Sequence, residues 1–520
     1  MYIVYLSIFT LWPLSALADY LAFCHIWQLK EYRLDRLRDY GKSLTGKQFF
    51  RGWRLLSRPL VYLALFLLLP INLVILDFIL LAIFLADLTN NLRAIISHRF
   101  YRPKLTAKSA LLTSLAAAVE GILFYAFWDS PLILLLLAGR WFIFSGLVLS
   151  ASIPTRLAKN FYVKKAAGKL AAAENLTVIG VTGSYGKTTV KNFLEQILSA
   201  RFNVIKTPKN INTEIGIAGF ILKSDFSGAD IFIVEMAAYK IGEIKLICDM
   251  VKPRVGILTA INEQHLPLFG SLKNTQTAKY ELLRSLPAAG LAIANSDNEY
   301  VRQYLGELKC QVKTFGQRPD FKPDLLLSEV VAAPNLKFRA NSDEINTNII
   351  GAHNAMNVAP AMLASEYLGL SRQQIAGQCL KLKLPEATMQ LVNYGESTII
   401  NDSYNSNPEA FAAALNFIAG RETKGKKIVI TPGMIELGEA SDSAHEKISK
   451  LVAETADELI IISPNYAEAL KSGLGDSAVY VRSIYEPEKL LNHIKRLKNQ
   501  PNIILLEGRL PEIVKNEIKK

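Results

Sequence analysis

Residues 180–189 read Gly-Val-Thr-Gly-Ser-Tyr-Gly-Lys-Thr-Thr, between the apolar run Leu176-Thr177-Val178-Ile179 and a helical pattern. No other stretch restricts the fold as much, because a strand, a glycine loop and a helix in that order form one α/β unit. The glycines let backbone N–H groups converge on phosphate oxygens. Lys187 adds a positive charge, and the Thr188 hydroxyl suits a divalent cation. The helix that follows directs its positive end at the same anion. Val181 stands where the strict pattern G-x-x-x-x-G-K-[ST] has its first glycine. A chance Gly-Lys-Thr in a surface loop is the competing reading, and the flanking strand and helix argue against it. Thr182, Gly183, Ser184, Tyr185, Gly186, Lys187, Thr188 and Thr189 are therefore the candidate nucleotide-phosphate residues.

The chain has 520 residues, room for about three domains. Half of them are hydrophobic, and the excess lies before residue 155. Residues 1–27, 59–90, 109–128 and 131–152 are mostly apolar. Each is near or above the ~20 residues that cross a bilayer as a helix. Buried helices of a soluble protein are the alternative, and four such stretches in succession weigh against it. Residues 1–27 lack a basic start and a small-residue cleavage site, which argues against a cleaved leader.

Basic loops orient these stretches. Nine Lys/Arg and three acids lie between Gln28 and Arg58. Residues 91–108 carry Arg93, Arg99, Arg102, Lys104 and Lys108 and no acid, and Arg156, Lys159, Lys164, Lys165 and Lys169 follow the last stretch. All three segments read as cytoplasmic, which puts the N-terminus outside. Residues 109–152 then form a hairpin turning at Asp129-Ser130-Pro131. Residues 59–90 enter and return on one side, with Pro70, Asn72 and Asp77 suiting a re-entrant or tight hairpin. The net charge of +13 is partly explained by these loops, which favour anionic lipid head groups. Nucleic acid is the other partner of a basic chain, but no nucleic-acid motif is present. Asp19, Asp77, Glu120 and Arg140 interrupt the apolar segments; they are either functional or paired with one another. Cys24, Cys248, Cys310 and Cys379 have no metal-ligand spacing, so neither a zinc site nor a disulfide is expected.

From about residue 170, short apolar runs alternate with helical stretches. Ile231–Val234, Val255–Leu258 and Leu291–Ala294 read as buried parallel strands of a doubly wound α/β domain over 170–383. Ile428–Ile430, Leu459–Ile462, Val479–Val481 and Ile503–Leu506 read as a Rossmann-like domain over 384–520, joined through a hinge at Lys381–Glu386. The expected architecture is an α-helical membrane region over 1–155 followed by these two α/β domains. Glu235, at the carboxyl end of a strand beside the loop, stands where a Mg²⁺ ligand belongs, although strand-end acids are common. His265 and Lys279 alone would read as a structural histidine and a surface lysine.

Taken together, residues 175–520 resemble the Mur ligase family, the ATP-dependent amide ligases of peptidoglycan precursor synthesis. Thr182–Thr189 resembles the family phosphate loop, and Thr207–Gly216 resembles the motif that follows it. Glu235 and His265 fall at the family's Mg²⁺ ligands, and Lys279 falls at its carbamylated lysine. His353, Asn354 and Asn357 match an H-N-x-x-N motif facing the nucleotide. Asp402-Ser403-Tyr404-Asn405-Ser406-Asn407-Pro408 is similar to D-x-Y-N-A-N-P. Gly433-Met434-Ile435-Glu436-Leu437-Gly438, with His445 beyond it, is similar to a signature of the D-alanyl-D-alanine-adding branch.

The resemblance implies a mechanism. An acceptor carboxylate attacks ATP to give an acyl phosphate and ADP, and an amine then displaces phosphate. Lys187, Lys279, His265 and Glu235 would be the catalytic residues. Thr188, Glu235, His265 and Lys279 would hold two Mg²⁺ ions, Lys279 as a carbamate. Asp402, Tyr404, Asn405 and Asn407 would join His353, Asn354 and Asn357 around ATP. The partners implied are a cell-wall peptide precursor, UDP-linked or lipid-linked, an amino acid or dipeptide, and membrane lipids. The ligase domains would face the cytoplasm from the cell's inner membrane.

Two departures stand out. The family's Gly-Arg at the start of the third domain is replaced by Leu384–Gln390 without an arginine, with Lys381 and Lys383 nearby. Membrane helices also stand in place of the first domain that binds the uridine diphosphate. Other readings are a ligase-like subunit amidating a lipid-linked precursor, a non-catalytic ATP-binding scaffold and a transporter ATPase. The first usually carries a four-cysteine zinc ribbon, and the last an ABC-type signature; neither is found. Persistence of Thr188, Glu235, His265 and Lys279 argues against the scaffold.

Overall fold

The computed structural model describes all residues except 1, 69–72, 98–99, 129, 174, 263–268, 270, 333, 405, 436, 438–439 and 519–520. The side chains of 44, 68, 73 and 153–158 are also left out. The chain divides into two compact units, Met1–Lys159 and Asn160–Lys520.

The first unit is helical. Tyr2–Leu29, Val74–Ile96 and Ala107–Ala126 are each long and apolar enough to cross a membrane. The stretch 59–90 is two unequal arms, Arg58–Leu68 and Leu73–Ile96. At ~1.5 Å per residue the 11-residue arm falls well short of the ~30 Å hydrocarbon thickness, whereas the other can span it. Pro70 and Asn72 lie outside the described residues, as does Asp129 at the second hairpin turn.

The fourth apolar stretch is not one straight helix, and this corrects the sequence reading. It breaks at Gly139 into Leu132–Ala138 and Arg140–Ser150, bent by 60°. Arg140 opens the second half and turns inward, 2.9 Å from Asp19 and 2.8 Å from Glu120. Arg58 adds contacts to Asp19 and to Asp87, the latter at 2.6 Å. Trp12 Nε1 and the Tyr20 hydroxyl donate to Glu120. Asp19, Glu120 and Arg140 thus pair with one another, because an ion in apolar surroundings is tolerable only when its partners are in place.

The second unit holds two sheets. In the first, β1 (Thr177–Thr182), β2 (Val204–Lys206), β3 (Ile231–Glu235), β4 (Val255–Leu258), β5 (Leu291–Asn295), β6 (Gln311–Gly316), β7 (Leu325–Val331), β8 (Lys337–Ala340) and β9 (Asp343–Asn346) lie in the order 2-3-1-4-5-6-7-8-9. Pairings from β2 through β7 are parallel, and β8 and β9 add an antiparallel edge. The second sheet contains β10 (Gln390–Tyr394), β11 (Ser397–Asp402), β12 (Lys427–Thr431), β13 (Glu458–Ile461), β14 (Tyr480–Ser483) and β15 (Ile503–Glu507), in the order 10-11-15-12-13-14. Only β10 runs antiparallel. β3, β4, β5 and β15 are buried along their length, because helices cover both faces of a parallel sheet. This leaves the strand ends as the place for polar chemistry, and Thr182, Glu235, Asn295, Asp402 and Glu507 all end strands.

Candidate active site

The loop after β1 is shaped by two glycines with positive φ, Gly183 at +149° and Gly186 at +80°. A Cβ on Gly186 would come within 2.6 Å of Asn357 Oδ1. Lys187 opens the helix Lys187–Leu198 and bends back, its Nζ donating to the carbonyls of Gly183 at 2.6 Å and Ser184 at 3.1 Å. The segment after β4 braces the loop. Ser184 N donates to Ala260 O at 2.7 Å, Asn262 N donates to Ser184 Oγ at 3.0 Å, and the Thr259 hydroxyl meets the Tyr185 carbonyl.

Glu235 ends β3 beside the loop and is 2% exposed. Its Oε2 accepts from the Thr188 hydroxyl at 3.0 Å and lies 2.8 Å from Lys191 Nζ; its Oε1 accepts from Asn212 at 3.2 Å. Burial pushes its pKa up, but Lys191 and Lys187 outweigh that and hold the carboxyl below its usual range. Lys191 follows Thr188 by three residues, so both side chains leave one helix face toward one carboxylate. Lys279, on the helix Leu272–Arg284, is buried. Burial first, and then the charge of Lys187, drive its pKa well below that of an ordinary lysine. His265 lies outside the described residues. Among the described residues, no three His, Cys, Asp or Glu side chains cluster as a metal site.

A cavity of about 460 Å³ opens over the loop. Ser184–Thr189, His353 and Asn357 line it on one side, and Thr388, Asp402, Tyr404 and Asn407 on the other. Thr182 and Asn354 are not in its wall. Thr182 Oγ1 donates to Met236 O at 2.9 Å, and Asn354 spans Ile350 O at 2.8 Å and Asn357 at 3.0 Å, so Asn354 fastens a residue that does line it. Burial draws the His353 pKa down to about 4, which keeps its ring neutral, and its Nδ1 has no partner among the described residues. Asn407 caps the helix Pro408–Ala419 by accepting from Ala410 N at 2.9 Å. Asn405 lies outside the described residues. The Tyr404 hydroxyl donates to Asn210 Oδ1 at 3.0 Å, a direct bridge from the second sheet's side to the first's. Neither Lys381 nor Lys383 lines this cavity.

Sequence reasoning missed several residues. Asn295, Asp297 and Gln317 line the same cavity at the ends of β5 and β6. The run Asn295-Ser296-Asp297 after an apolar strand was the available signal, the same one that marked Glu235. Glu507 was also missed. It is fully buried and paired in register with Asp402. Burial raises the Asp402 pKa to about 7; burial and then Asp402 raise that of Glu507 further. His445 serves structure: its Nε2 accepts from Met434 N at 2.8 Å, its Nδ1 meets Ser441 O at 2.7 Å, and its ring stacks on Tyr466. Glu436 and Gly438 of the same motif lie outside the described residues.

A second cavity, of about 220 Å³, is lined by Lys191, Lys206, Lys209 and Glu386. Thr188 and Tyr404 belong to the walls of both cavities.

Residues 181–365 match the Mur ligase middle domain, and residues 389–510 match the Mur ligase glutamate ligase domain. The chain belongs to the Mur ligase family. Its Mur ligase domains are similar to the UDP-N-acetylmuramoyl-tripeptide–D-alanyl-D-alanine ligase of Bacillus subtilis, 29% identical over 66% of this chain and 76% of that one. The Synechocystis protein of the same name is 32% identical over 57% of this chain and 64% of that one. For the Escherichia coli protein the values are 27%, 58% and 67%. These matches span roughly two thirds to three quarters of the relatives' lengths. Among solved structures, MurF from Thermotoga maritima in complex with ADP aligns with a TM-score of 0.61 at 25% identity, over 69% of this chain and 84% of that one. MurF from Acinetobacter baumannii shares the fold with a TM-score of 0.62 at 23% identity, over 70% and 81%. This Mur ligase carries the two matched Mur ligase domains after an apolar helical unit.

Proposed function

We propose that this Mur ligase is an ADP-forming amide ligase that adds D-alanyl-D-alanine to a muramoyl-tripeptide precursor of peptidoglycan, and so serves cell shape and division. One arrangement carries the reading: Thr188, bonded to the Glu235 carboxylate that Lys191 also meets, belongs to the walls of both the cavity over the phosphate loop and the second, lysine-bearing cavity. An acceptor carboxylate and a phosphoryl group repel each other, so a site that joins them needs cations where they meet. Lys187 and the helix N-terminus suit the phosphates, and Lys191, Lys206 and Lys209, each beside an acidic partner of its own, line the cavity where the acceptor carboxylate would enter.

The donor set fits magnesium. Glu235 and Thr188 offer a carboxylate and a hydroxyl 3.0 Å apart, and oxygen ligands are what this hard ion takes. Bound there, magnesium would neutralise phosphate charge during transfer. Glu235, kept ionised by Lys191, is the ligand this chain supplies most firmly; Thr188 and His265 complete the proposed set. Burial and the charge of Lys187 favour the neutral amine of Lys279, the form that carbamylation needs, and as a carbamate it would hold a second ion. His353, Asn357, Asp402 and Tyr404 would orient ATP. The domain of the second sheet carries Asp402 and Tyr404 and would close over the nucleotide to position the amine.

The helical unit supports a multi-pass location in the cell membrane, with the ligase domains on the cytoplasmic face. Because that unit replaces the family's first domain, the acceptor would be lipid-linked. The test supplies ATP and D-alanyl-D-alanine with either UDP-linked or lipid-linked muramoyl tripeptide. Pentapeptide product identified by mass supports the ligase, and a preference for the lipid-linked form supports the membrane acceptor. No product from either acceptor contradicts the assignment.

A further inference from the structure

A cavity of about 290 Å³ opens within the helical unit where the two basic segments before and after Leu73–Ile96 meet. Among the described residues its walls carry both signs of charge in equal number, Asp19 and Asp87 against Arg54 and Arg58. Arg54 Nη1 lies 3.0 Å from Asp19, Arg58 Nη1 lies 2.6 Å from Asp87, and Arg58 Nη2 also meets Asp19. Arg58 is 1% exposed, yet among the described residues its Nε has no hydrogen-bond partner. The Gln48 and Asn90 amides, which also line the cavity, are exposed and make no side-chain hydrogen bond among the described residues. Phe49, Trp53, Phe100 and Tyr101 supply aromatic surface, and Trp53 is fixed by an Nε1 bond to Asp87 at 2.8 Å.

The composition of this wall selects a ligand. Two guanidinium groups matched by two carboxylates give a bare phosphate no net attraction, and a bare ammonium none either. A sugar hydroxyl both donates and accepts, so it is served by amides, carboxylates and a spare guanidinium N–H together. The apolar face of a sugar ring lies against aromatic carbon. The volume sits at the small end of the ~300–1,000 Å³ range of small-molecule sites, which suits one ring rather than a long glycan.

We propose that this cavity binds the sugar of a glycosylated membrane lipid at the cytoplasmic head-group level. The proposal rests on the membrane location proposed above, and it would give a lipid-linked amino-sugar acceptor a place to dock. Gln48 to Arg58 and Asn91, Phe100 and Tyr101 lie in the segments 28–58 and 91–108, both read as cytoplasmic from their charge, while Asp19, Asp87 and Asn90 come from the adjoining helices.

The test uses the full chain in nanodiscs and a photoactivatable polyprenyl-diphosphate carrying one N-acetylmuramoyl sugar. Crosslinks mapped to residues 48–58 and 87–101 are expected. Asn90→Ala and Tyr101→Ala, each with an unchanged unfolding midpoint, should lower the yield at least tenfold. Equal capture of the same lipid diphosphate without sugar would make this an anion site. Equal capture of phosphatidylglycerol would make it a generic lipid crevice, and yields that ignore both substitutions would remove the site altogether; each of these overturns the proposal. Failure of the membrane reading is seen separately, as protein that does not float with vesicles. A water-soluble methyl glycoside of the sugar then still tests the cavity.

Discussion

Lys191 Nζ lies 2.8 Å from the Glu235 oxygen that also receives the Thr188 hydroxyl, so the buried carboxylate is matched by a buried ammonium one helical turn past the loop. Removing either partner strands the other, at about 3–5 kcal/mol. Lys191→Met and Glu235→Gln should each lower the unfolding midpoint, and each should lower kcat by about 10² or more if the pair assists phosphoryl transfer. The double variant separates the two effects: its stability should recover in part, while its turnover should not. A double variant with normal turnover would show that the pair is structural only.

Gly186→Ala combines a positive-φ strain of ~1–3 kcal/mol with a Cβ 2.6 Å from Asn357 Oδ1. The loop must shift, and ATP affinity measured by calorimetry should fall more than tenfold. An unaltered Kd would mean that the loop does not hold the phosphates.

Asp402 and Glu507 end neighbouring parallel strands, and burial raises both carboxyls, Asp402 to about 7. A folded-state pKa above the unfolded one makes its stability contribution complete below about pH 4 and lost as pH rises through 7. Stability of the wild type should therefore decline between these limits. Asp402→Asn should flatten that decline and raise the unfolding midpoint at pH 8 by several degrees, while weakening ATP binding. A midpoint lower than wild type at pH 8 would contradict the burial argument.

Much of this site was legible because its chemistry and its backbone demands coincide. The loop glycines, Lys187, Thr188 and the strand-end acid Glu235 are fixed both by phosphate geometry and by position in a parallel sheet. Glu507 was not legible: nothing in Ile503–Glu507 announces that its last residue faces Asp402, because only the 11-15-12 strand order places them together. Lys191 reads as an ordinary helix lysine until the carboxylate beside it is known. The Gly139 break was hidden because an apolar run has the same composition bent or straight. The pairing of Asp19 and Glu120 with Arg140 was open in sequence because 121 and 20 residues separate the partners along the chain, and only packing brings them together.

Tyr404→Phe removes the hydroxyl that bridges to Asn210 and also meets Thr188, and takes nothing from the core. It should leave the unfolding midpoint within about 1 °C, since the bond is exposed. If the bridge forms during closure over ATP, KM for ATP should rise several-fold with a smaller change in kcat. Unchanged kinetics would remove the bridge from the catalytic cycle.

The central claim is that this Mur ligase couples ATP cleavage to joining a peptide carboxylate with an amine. Phosphate release by the full chain, measured with ATP, Mg²⁺ and a muramoyl-tripeptide acceptor, tests it most directly. Release should be slow with acceptor alone, rise at least tenfold when D-alanyl-D-alanine is added, and stay low with single amino acids. Release that is indifferent to acceptor and dipeptide alike would contradict the account.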